Sequence, residues 1–482
     1  MRELKYVYIM IRYTVVIIYI LCGTLSLAQA AIDRDVFLDT CLRVAEARDP
    51  KLQVAKMTTE LAGTKMFRSG RNFFPALMLQ HTTERGRTAD NTLSVSGNFV
   101  DEEYQSQQLG VKVAQPIFTG GRLSSVYKYD KLSKEVSQLQ YTKLREELFY
   151  KIKSAYYELM AARTEAEKLK EAYAEIAKLG DKSEVEFKAK AISELDLLEA
   201  QIFCDKVSTM YQSAELTSRL AEERLLTLAN INSLEEIIYE LPSKIAEPRD
   251  ISFSFKECFG FAMTNNIDIK ITELFIKMNK QKKNIDIAHV IPNITAEGFY
   301  GKSGDAYVTE PLDLATVWTA SAKLTWGIWG NSFEASQTQE KTNPSEVIDV
   351  GQKVDNTTID LRLSLLDDVD YLVNSKEDEV NFRQAQAENQ ETISRARLEL
   401  NKYFDDYLVS MGNARNALQE IDLKTRKLAV LRKRNEMYEV TTLEVMDGVY
   451  QLSGAIAAYS KALSANYDSI ASMERMTLVP LR

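Results

Sequence analysis

The stretch VAQPIFTGGRLSSV, residues 113–126, raises the first chemical question, because an apolar run ends in Gly120 and Gly121 and passes straight into a helical pattern. A glycine-rich loop before a helix can hold a phosphate group through its backbone amides. The same glycines can form a sharp turn between a strand and a helix, since glycine adopts positive φ without a steric penalty. The first interpretation predicts a nucleotide-binding protein, and the second predicts a structural junction.

Other residues that could do chemistry are few. The chain has two histidines, His81 and His289, and no His-Glu-x-x-His, Cys-x-x-Cys or Gly-x-Ser-x-Gly motif. Cys41, Cys204 and Cys258 are the cysteines after residue 30. An odd, sparse set of cysteines predicts small core residues and not a disulfide framework. We therefore expect no enzyme, no metal site and no cofactor.

Residues 1–30 have the pattern of a secretory signal peptide: a basic start, the apolar run TVVIIYILCGTLSL and the small-residue cleavage site AQA. A membrane anchor is the alternative, but it needs about 20 apolar residues and this run is shorter. We therefore expect an exported protein. The formal charge of −9 becomes −11 when three basic residues and one acidic residue leave with the signal (−9 − 3 + 1). An acidic exported chain is not expected to bind nucleic acid, because phosphate contacts need a basic surface.

The chain repeats itself. Cys41 matches Cys258 and Pro75 matches Pro292 at one offset, 258 − 41 = 292 − 75 = 217. The run GVKVAQPIFTGG (110–121) aligns with SAKLTWGIWGNS (321–332) at an offset of 332 − 121 = 211.

This second alignment decides the glycine question. A phosphate loop would not keep its function without its glycines, whereas asparagine tolerates positive φ. The sequence therefore predicts strand-to-helix junctions at Gly120 and Gly121 and, in the second repeat, at Gly330 and Asn331. A rival register pairs VKVAQP (111–116) with LRLSLL (361–366) and moves the second junction to Asp370 and Tyr371.

The offset later rises to 441 − 193 = 248, after a first step to 403 − 156 = 247, so the second repeat contains about 247 − 211 = 36 inserted residues. The predicted organisation has four parts: a signal peptide at 1–30, a first repeat at 31–230 (helix, β-hairpin, long helix, return helix), a linker at 231–250, and a second repeat at 251–482 with the insertion near 331–370.

Each repeat has a coiled-coil stripe. Apolar residues alternate at spacings of three and four in the two long helices: Leu148, Ile152, Ala155, Leu159, Ala162, Ala166, Leu169 and Tyr173, then Leu400, Phe404, Tyr407, Met411, Ala414, Leu418 and Ile421. No proline lies between Arg122 and Phe187, which predicts one uninterrupted helix. A shorter helical bundle is the alternative. SELD at 193–196 and TTLE at 441–444 resemble capping boxes that start the return helices.

Between the helices lie segments with strand-like alternation. From Val317 to Ile328 one face is apolar and the other is largely polar, as in a barrel strand that faces lipid on one side and water on the other. Trp318, Trp326 and Trp329 cluster here, and tryptophan is typical of membrane interfaces. A soluble sandwich is the alternative. Because four strands cannot close a barrel and open edges are not tolerated in lipid, a membrane sheet of this kind must oligomerise.

These residues resemble a known family. AEARDPKL (45–52), Pro75, QPIFTGGR (115–122) and AYYELMAA (155–162), in the duplicated order of elements, are similar to the TolC-like outer-membrane efflux proteins over nearly the whole mature chain. The resemblance implies an α+β membrane protein: a duplicated helical-hairpin tunnel in the periplasm and four or more barrel strands per protomer. It also implies a homotrimer that closes a 12-stranded barrel in outer-membrane lipid.

The implied function is passive export in a multi-component efflux or type I secretion system. The tunnel docks onto a periplasmic adaptor, also called a membrane fusion protein, and an inner-membrane transporter. The family's helix-turn-helix tips form the entrance and touch the adaptor, and here they map to Lys190, Ser193, Asp196, Thr441, Glu444 and Asp447. Their carboxylates would be present three times in a trimer and would attract cations. The alternative is that these carboxylates are only solvated residues at helix ends.

Two features depart from the family. Its tip turns usually contain glycine, but this chain has Lys190 in the first turn and no glycine between Met437 and Asp447. The insertion contains two further strand-like runs, SFEASQTQEKT (332–342) and NTTIDLRLSLLDD (356–368). A further membrane hairpin would give a trimer 18 strands; the resemblance favours 12.

Two other classes compete with the channel. An exported structural or adhesive coiled-coil protein explains the heptads but not the duplicated alternating strands or the tryptophan cluster. A soluble periplasmic adaptor explains neither the two long hairpins nor the barrel-like strands.

Overall fold

The computed structural model describes residues 36–93, 99–231, 247–307, 311–328, 330–342, 355–367 and 370–481. The predicted signal peptide, most of the predicted linker and Trp329 lie outside these residues. The chain divides into two compact units. Unit 1 comprises Met1–Gln53, Lys143–Asn266 and Ala396–Arg482, and unit 2 comprises Val54–Thr142 and Ile267–Arg395.

The helices are α1 Val36–Arg48, α2 Pro50–Arg71, α3 Arg122–Lys188, α4 Glu194–Ala229, α5 Phe255–Asn265, α6 Ile267–Ile287, α7 Asp370–Glu436 and α8 Thr442–Thr477. The strands are β1 Ala76–Leu93, β2 Phe99–Phe118, β3 Asn293–Tyr307, β4 Ala315–Ile328, β5 Asn331–Thr342 and β6 Asp355–Ser364. The predicted uninterrupted helix is therefore α3, and among the described helices none has the length and hydropathy to span a bilayer.

Unit 1 contains the coiled-coil core. Leu148, Ile152 and Leu159 on α3 are buried, and so are Leu400 and Ala414 on α7. Tyr173 and Leu418 of the predicted stripes are exposed, although the core continues past them at Ile176 and Leu428. The stripes therefore predict most of the core positions but not these two.

Close helix packing in unit 1 depends on small residues. A Cβ on Gly180 of α3 would lie 2.7 Å from Sγ of Cys204 on α4, and a Cβ on Gly448 of α8 would lie 3.1 Å from Cδ1 of Leu431 on α7. Glycine at these positions lets the neighbouring helix approach more closely than a side chain would permit. The helix α3 continues through Gly180 without a break.

Unit 2 contains one antiparallel sheet, in which six strands follow in the order β1-β2-β3-β4-β5-β6. The inserted segment supplies β5 and β6, which continue the sheet from β4. Six strands per chain agree with the expectation of four or more. The register places the apolar residues Phe333, Leu361 and Leu363 of the insertion on the same face as Trp326 of β4.

The sheet has an apolar face and a polar face. Because side chains alternate across a strand, the register places these residues on the apolar face: Leu77, Leu79, Val111, Val113, Ile294, Tyr300, Trp318, Leu324, Trp326, Phe333, Ile359, Leu361 and Leu363. The polar face carries cross-strand ion pairs, with Lys112 Nζ 2.7 Å from Glu297 Oε2 and Lys323 Nζ 2.5 Å from Glu334 Oε1. One face thus suits an apolar environment and the other suits water.

Candidate functional site

The first tip turn joins α3 to α4. Lys190 adopts φ of 59°, in the left-handed region, and its amide donates to Phe187 O while the amide of Ala191 donates to Glu186 O, each at 2.8 Å. This is the hydrogen-bond pattern of a helix that ends on a left-handed residue. Ser193 then caps α4: its Oγ accepts from the Asp196 amide at 3.2 Å, and Asp196 Oδ2 accepts from the Ser193 amide at 2.9 Å.

The second tip turn, between α7 and α8, has the same geometry. Tyr438 adopts φ of 62°, and the amide of Glu439 donates to Arg434 O at 2.9 Å. Thr441 caps α8, since its Oγ1 accepts from the Glu444 amide at 3.3 Å and the Glu444 carboxylate accepts from the Thr441 amide at 3.4 Å. Both predicted capping boxes are confirmed.

Side-chain contacts hold the two tips together. Thr442 Oγ1 at the start of α8 donates to the carboxylate of Glu186 near the end of α3, at 3.0 Å from Oε1. Arg432 of α7 forms a two-pronged ion pair with Glu175 of α3, with Nε 2.6 Å from Oε1. Paired arginine–carboxylate hydrogen bonds fix orientation as well as distance. The tips therefore form one surface of unit 1.

A core of four helices supports this surface. Apolar residues of all four helices pack together and are buried: Ala172 and Ile176 of α3, Ala200 and Val207 of α4, Leu428 of α7, and Val445, Met446 and Val449 of α8. An open groove of about 470 Å³ lies beside it, lined by Glu199, Phe203, Lys427, Leu431, Leu443, Glu444 and Asp447. The groove combines apolar walls with three carboxylates and one lysine.

The three predicted tip carboxylates differ in their surroundings and hydrogen bonds. Asp196 is exposed, and the hydrogen bond from the Ser193 amide lowers its pKa. Glu444 is shared between the second capping box and the groove wall. Asp447 lies one turn further along α8, where its Oδ2 accepts from Gln451 Nε2 at 2.5 Å. Asp447 is thus the one of the three that faces the groove without serving a helix cap.

The first junction lies between β2 and α3. Gly120 and Gly121 have φ of 58° and 86°, and α3 begins at Arg122, whose amide donates to Thr119 O at 2.9 Å. A Cβ on Gly120 would lie 2.7 Å from Cβ of Ile291, whereas a Cβ on Gly121 would meet nothing within 4 Å. Gly120 therefore meets two requirements, positive φ and close approach, and Gly121 meets only the first.

The prediction of a second junction at Gly330 and Asn331 is wrong. Gly330 lies in the turn between β4 and β5, and Asn331 begins β5, so the chain passes here from strand to strand. The alignment failed because the insertion repeats the strand-ending pattern before the helix starts. The change to a helix comes after β6, where α7 begins at Asp370, the place that the rival register indicates.

Leu366, in the second junction, was missed by sequence reasoning. It adopts φ of 58°, the same as Gly120, although leucine is disfavoured there. Its amide donates to Asn331 Oδ1 at 2.9 Å, and Ser332 Oγ donates to Asp367. Asn331 is therefore part of the second junction through its side chain, not its backbone.

Residues at or beside both junctions contact the short 3₁₀ turn Ala288–Val290 or the residue after it, Ile291. Gly120 packs on Ile291, and Trp326 Nε1 donates to Val290 O at 2.9 Å. On the other side, the ring of Tyr371 in α7 stacks on His289 with centroids 5.9 Å apart. The turn thus links the first junction, a tryptophan of the apolar face and the start of α7.

The predicted interface tryptophans differ in their surroundings. Trp318 and Trp326 both lie on the apolar face and are 36% and 39% exposed. Trp326 is held by its hydrogen bond to Val290, whereas Trp318 lies across from Tyr300 on β3. A tryptophan with its ring exposed and its N–H satisfied is the arrangement found at membrane interfaces.

Residues 41–230 match the family described as outer membrane efflux protein. A comparison with curated proteins found no match. Solved structures match nearly the whole chain. The CmeC outer membrane channel of Campylobacter jejuni is 15% identical, with a TM-score of 0.71 over 92% of this chain and 86% of that one.

Two further structures share the fold. The outer membrane protein VceC of Vibrio cholerae is 14% identical, with a TM-score of 0.70 over 93% of this chain and 98% of that one. The open state of the MtrE outer membrane channel of Neisseria gonorrhoeae is 13% identical, with a TM-score of 0.67 over 92% and 89%. The resemblance to TolC-like outer-membrane efflux proteins is confirmed.

The two groups of site residues belong to different units. The tip residues lie in unit 1, and the junction residues and described tryptophans lie in unit 2. Sequence reasoning found the caps from their spacing but missed Tyr438 and Leu366. A glycine would have indicated each positive-φ position, and neither position has one.

Proposed function

We propose that this chain forms a homotrimeric channel-tunnel in the outer membrane, which serves as the passive export conduit of a multi-component efflux or type I secretion system. In this proposal the helices extend into the periplasm and the tips dock onto a periplasmic adaptor, which connects them to an inner-membrane transporter. The observation that carries it is the two-faced sheet of unit 2, joined by tight turns to long helices, in a chain with the efflux-protein fold.

The apolar face supports insertion into lipid. Leu77, Leu79 and Leu361 are 71%, 86% and 70% exposed in the single chain, an arrangement that costs free energy in water. The polar face, with its ion pairs, suits a water-filled lumen. An isolated chain leaves the apolar face uncovered, and outer-membrane lipid would cover it.

The groove at the tips supports adaptor docking. Its apolar walls, Phe203, Leu431 and Leu443, would receive apolar side chains of a partner helix, and its rim carboxylates, Glu444 and Asp447, favour basic residues at that helix's edge. We therefore propose an amphipathic helical hairpin with lysine or arginine beside its apolar stripe as the docking element.

The deciding experiment is conductance across a planar bilayer after purification in detergent. We expect discrete channels with a preference for cations, since Asp447, present three times in a trimer, would line the entrance. Asp447→Asn should reduce the cation-to-anion permeability ratio by about twofold, and Asp196→Asn should reduce it less. Asp205→Asn, at an exposed position of α4, is the matched control.

The alternative is an exported structural coiled-coil protein. A chain that purifies without detergent and never forms channels would contradict the proposal and favour that alternative. Channels unaffected by Asp447→Asn would leave the conduit in place and remove Asp447 from the entrance.

A further inference from the structure

The six strands of the sheet bear on how many strands the assembled barrel contains. We propose that three copies of this chain close a barrel of 18 strands, six from each copy, in which β6 of one protomer pairs with β1 of the next. The proposal rests on the proposed channel function and specifies the surface through which the copies associate.

The first argument is that β4 cannot be an edge. It pairs with β3 from Ala315 to Thr325 and with β5 from Val317 to Ile328, so both of its hydrogen-bonding sides are occupied. A barrel with four strands per chain would need β4 to release β5 and to pair with another copy. The intact sheet ends at β1 and β6, and these two strands carry the open edges.

The second argument is that β5 and β6 share the two faces of the other strands. Phe333, Leu361 and Leu363 continue the apolar face, and Glu334 pairs with Lys323 on the polar face. A hairpin that folded away from the barrel would not need matching faces. The faces agree in the rows of Phe333 and Ala335, next to the helices, whereas Gln337, Gln339 and Lys341 continue the same face of β5 with polar side chains. The agreement in the rows next to the helices indicates a continuous membrane wall there.

The third argument comes from the position of the apolar band. Leu77 lies in the same cross-strand row as Ala320 and Thr357, yet the apolar residues of β6 begin at Ile359 and extend towards α7. The band therefore moves towards the helices from β1 to β6. Strands of a closed barrel are tilted by about 35–45°, so a band at constant depth crosses successive strands at shifted rows. The shift falls in the second half of the sheet, because the row of Leu79 stays apolar as far as Trp318 on β4 but meets Lys341 on β5.

The fourth argument concerns closure. An open edge is not tolerated in lipid, and the strand order does not pair β1 with β6 within the chain. β1 leads away from α2 and β6 leads towards α7, so β6 of one copy meets β1 of the next in antiparallel orientation. Because barrel diameter grows about linearly with strand number, 18 strands give a lumen about 1.5 times as wide as 12.

Disulfide cross-linking between copies in membranes tests the proposal. In a background with Cys41, Cys204 and Cys258 replaced by alanine, Leu77→Cys is combined in turn with Thr357→Cys, Ile359→Cys, Leu361→Cys or Leu363→Cys on β6. The competing series combines it with Ala320→Cys, Ala322→Cys or Leu324→Cys on β4. All of these positions lie on the apolar face, and directly opposed cross-strand residues have Cβ atoms about 4.5–5.5 Å apart.

We expect covalent dimers and trimers on oxidation from at least one β1–β6 pair and from no β1–β4 pair. Leu77→Cys alone should stay monomeric in denaturing gels. Cross-linking of β1 to β4, or none to β6 across the series, would overturn the 18-stranded barrel. Conductance of the same variants separates the two proposals. Channels together with β1–β4 links would support the export function and contradict the 18-stranded barrel. Neither channels nor linked copies would contradict both proposals.

Discussion

The two strand-to-helix junctions reach the same backbone conformation with opposite residues. Gly120 and Leu366 both adopt φ of 58°. At the first junction the residue must be small, because Ile291 lies against it. At the second junction the side chain is 76% exposed, and the amide of Leu366 is held by Asn331. The first junction is thus determined by packing, and the second by a hydrogen bond that holds a strained residue.

This difference shows why glycine is required at the first junction and not at the second. Positive φ costs a leucine about 1–2 kcal/mol, which one hydrogen bond of about 1 kcal/mol largely offsets. A steric overlap with a neighbouring side chain such as Ile291 cannot be offset in that way. The second junction can therefore hold a leucine because its side chain is exposed, whereas the first junction needs a glycine.

The largest expected effect is at Gly120. Gly120→Ala adds strain at positive φ and an overlap with Ile291, and should destabilise unit 2 by about 3 kcal/mol or more. Gly121→Ala is the matched control, because it has positive φ but open space; it should cost about 1 kcal/mol. Thermal unfolding in detergent measures both. Equal losses would show that φ alone, and not packing, decides the first junction.

Asn331→Ala should have the next largest effect. It leaves the Leu366 amide without the side-chain acceptor that holds the turn, at a cost of about 1–2 kcal/mol. Adding Leu366→Gly should restore part of the loss, because the strained residue no longer needs support. Thermal unfolding of the single and double variants provides the measurement. Strictly additive effects would contradict the coupling between the two residues.

Leu366→Gly alone should stabilise the junction by up to about 1 kcal/mol, since glycine relieves the strain but also gains entropy in the unfolded chain. Leu365→Gly, at the neighbouring exposed position without positive φ, should not stabilise. Denaturant midpoints of the two variants test the expectation. A loss of stability at both positions would mean that the leucine side chain is needed in place.

The smallest expected effect depends on pH and concerns a contact close to both junctions. Asp286 of α6 lies near Asp378 of α7, a buried residue whose Oδ1 is 3.0 Å from Lys282 Nζ. Burial and the neighbouring carboxyl of Asp378 raise the pKa of Asp286 from 3.8 to about 6, against the opposing charges of Lys282 and His289. Because the folded-state pKa is the higher one, unit 2 should gain stability as pH falls through about 6 towards 4.

Asp286→Asn should therefore raise the melting temperature at pH 7.5 by roughly 2–4 °C, equivalent to about 1 kcal/mol, and flatten the change between pH 7 and 5. Glu273→Gln, at an exposed position of the same helix, controls for the loss of one negative charge. An unchanged pH profile in Asp286→Asn would show that another group is responsible.

Local patterns predicted much of this molecule. The capping boxes at Ser193 and Thr441 were readable because a cap uses residues only three positions apart. The junction at Gly120 was predictable because a glycine directly before a helix usually marks a tight turn with positive φ. Leu366 and Tyr438 were not, since leucine and tyrosine carry no signal for positive φ. The contact between Asp286 and Asp378 joins residues 378 − 286 = 92 positions apart, and no spacing rule reaches that far.

The sequence by itself determined the type and extent of the helices, the two capped turns and the alternation of the strands, because these depend on residues within a few positions of one another. Only the tertiary structure decided that the insertion extends the sheet to six strands and that β4 is paired on both sides. Strand pairing is a choice among distant partners with similar alternation, and it depends on register and on the continuity of both faces. The same physical reason explains why the second junction was first placed at Gly330 and lies instead at Leu366.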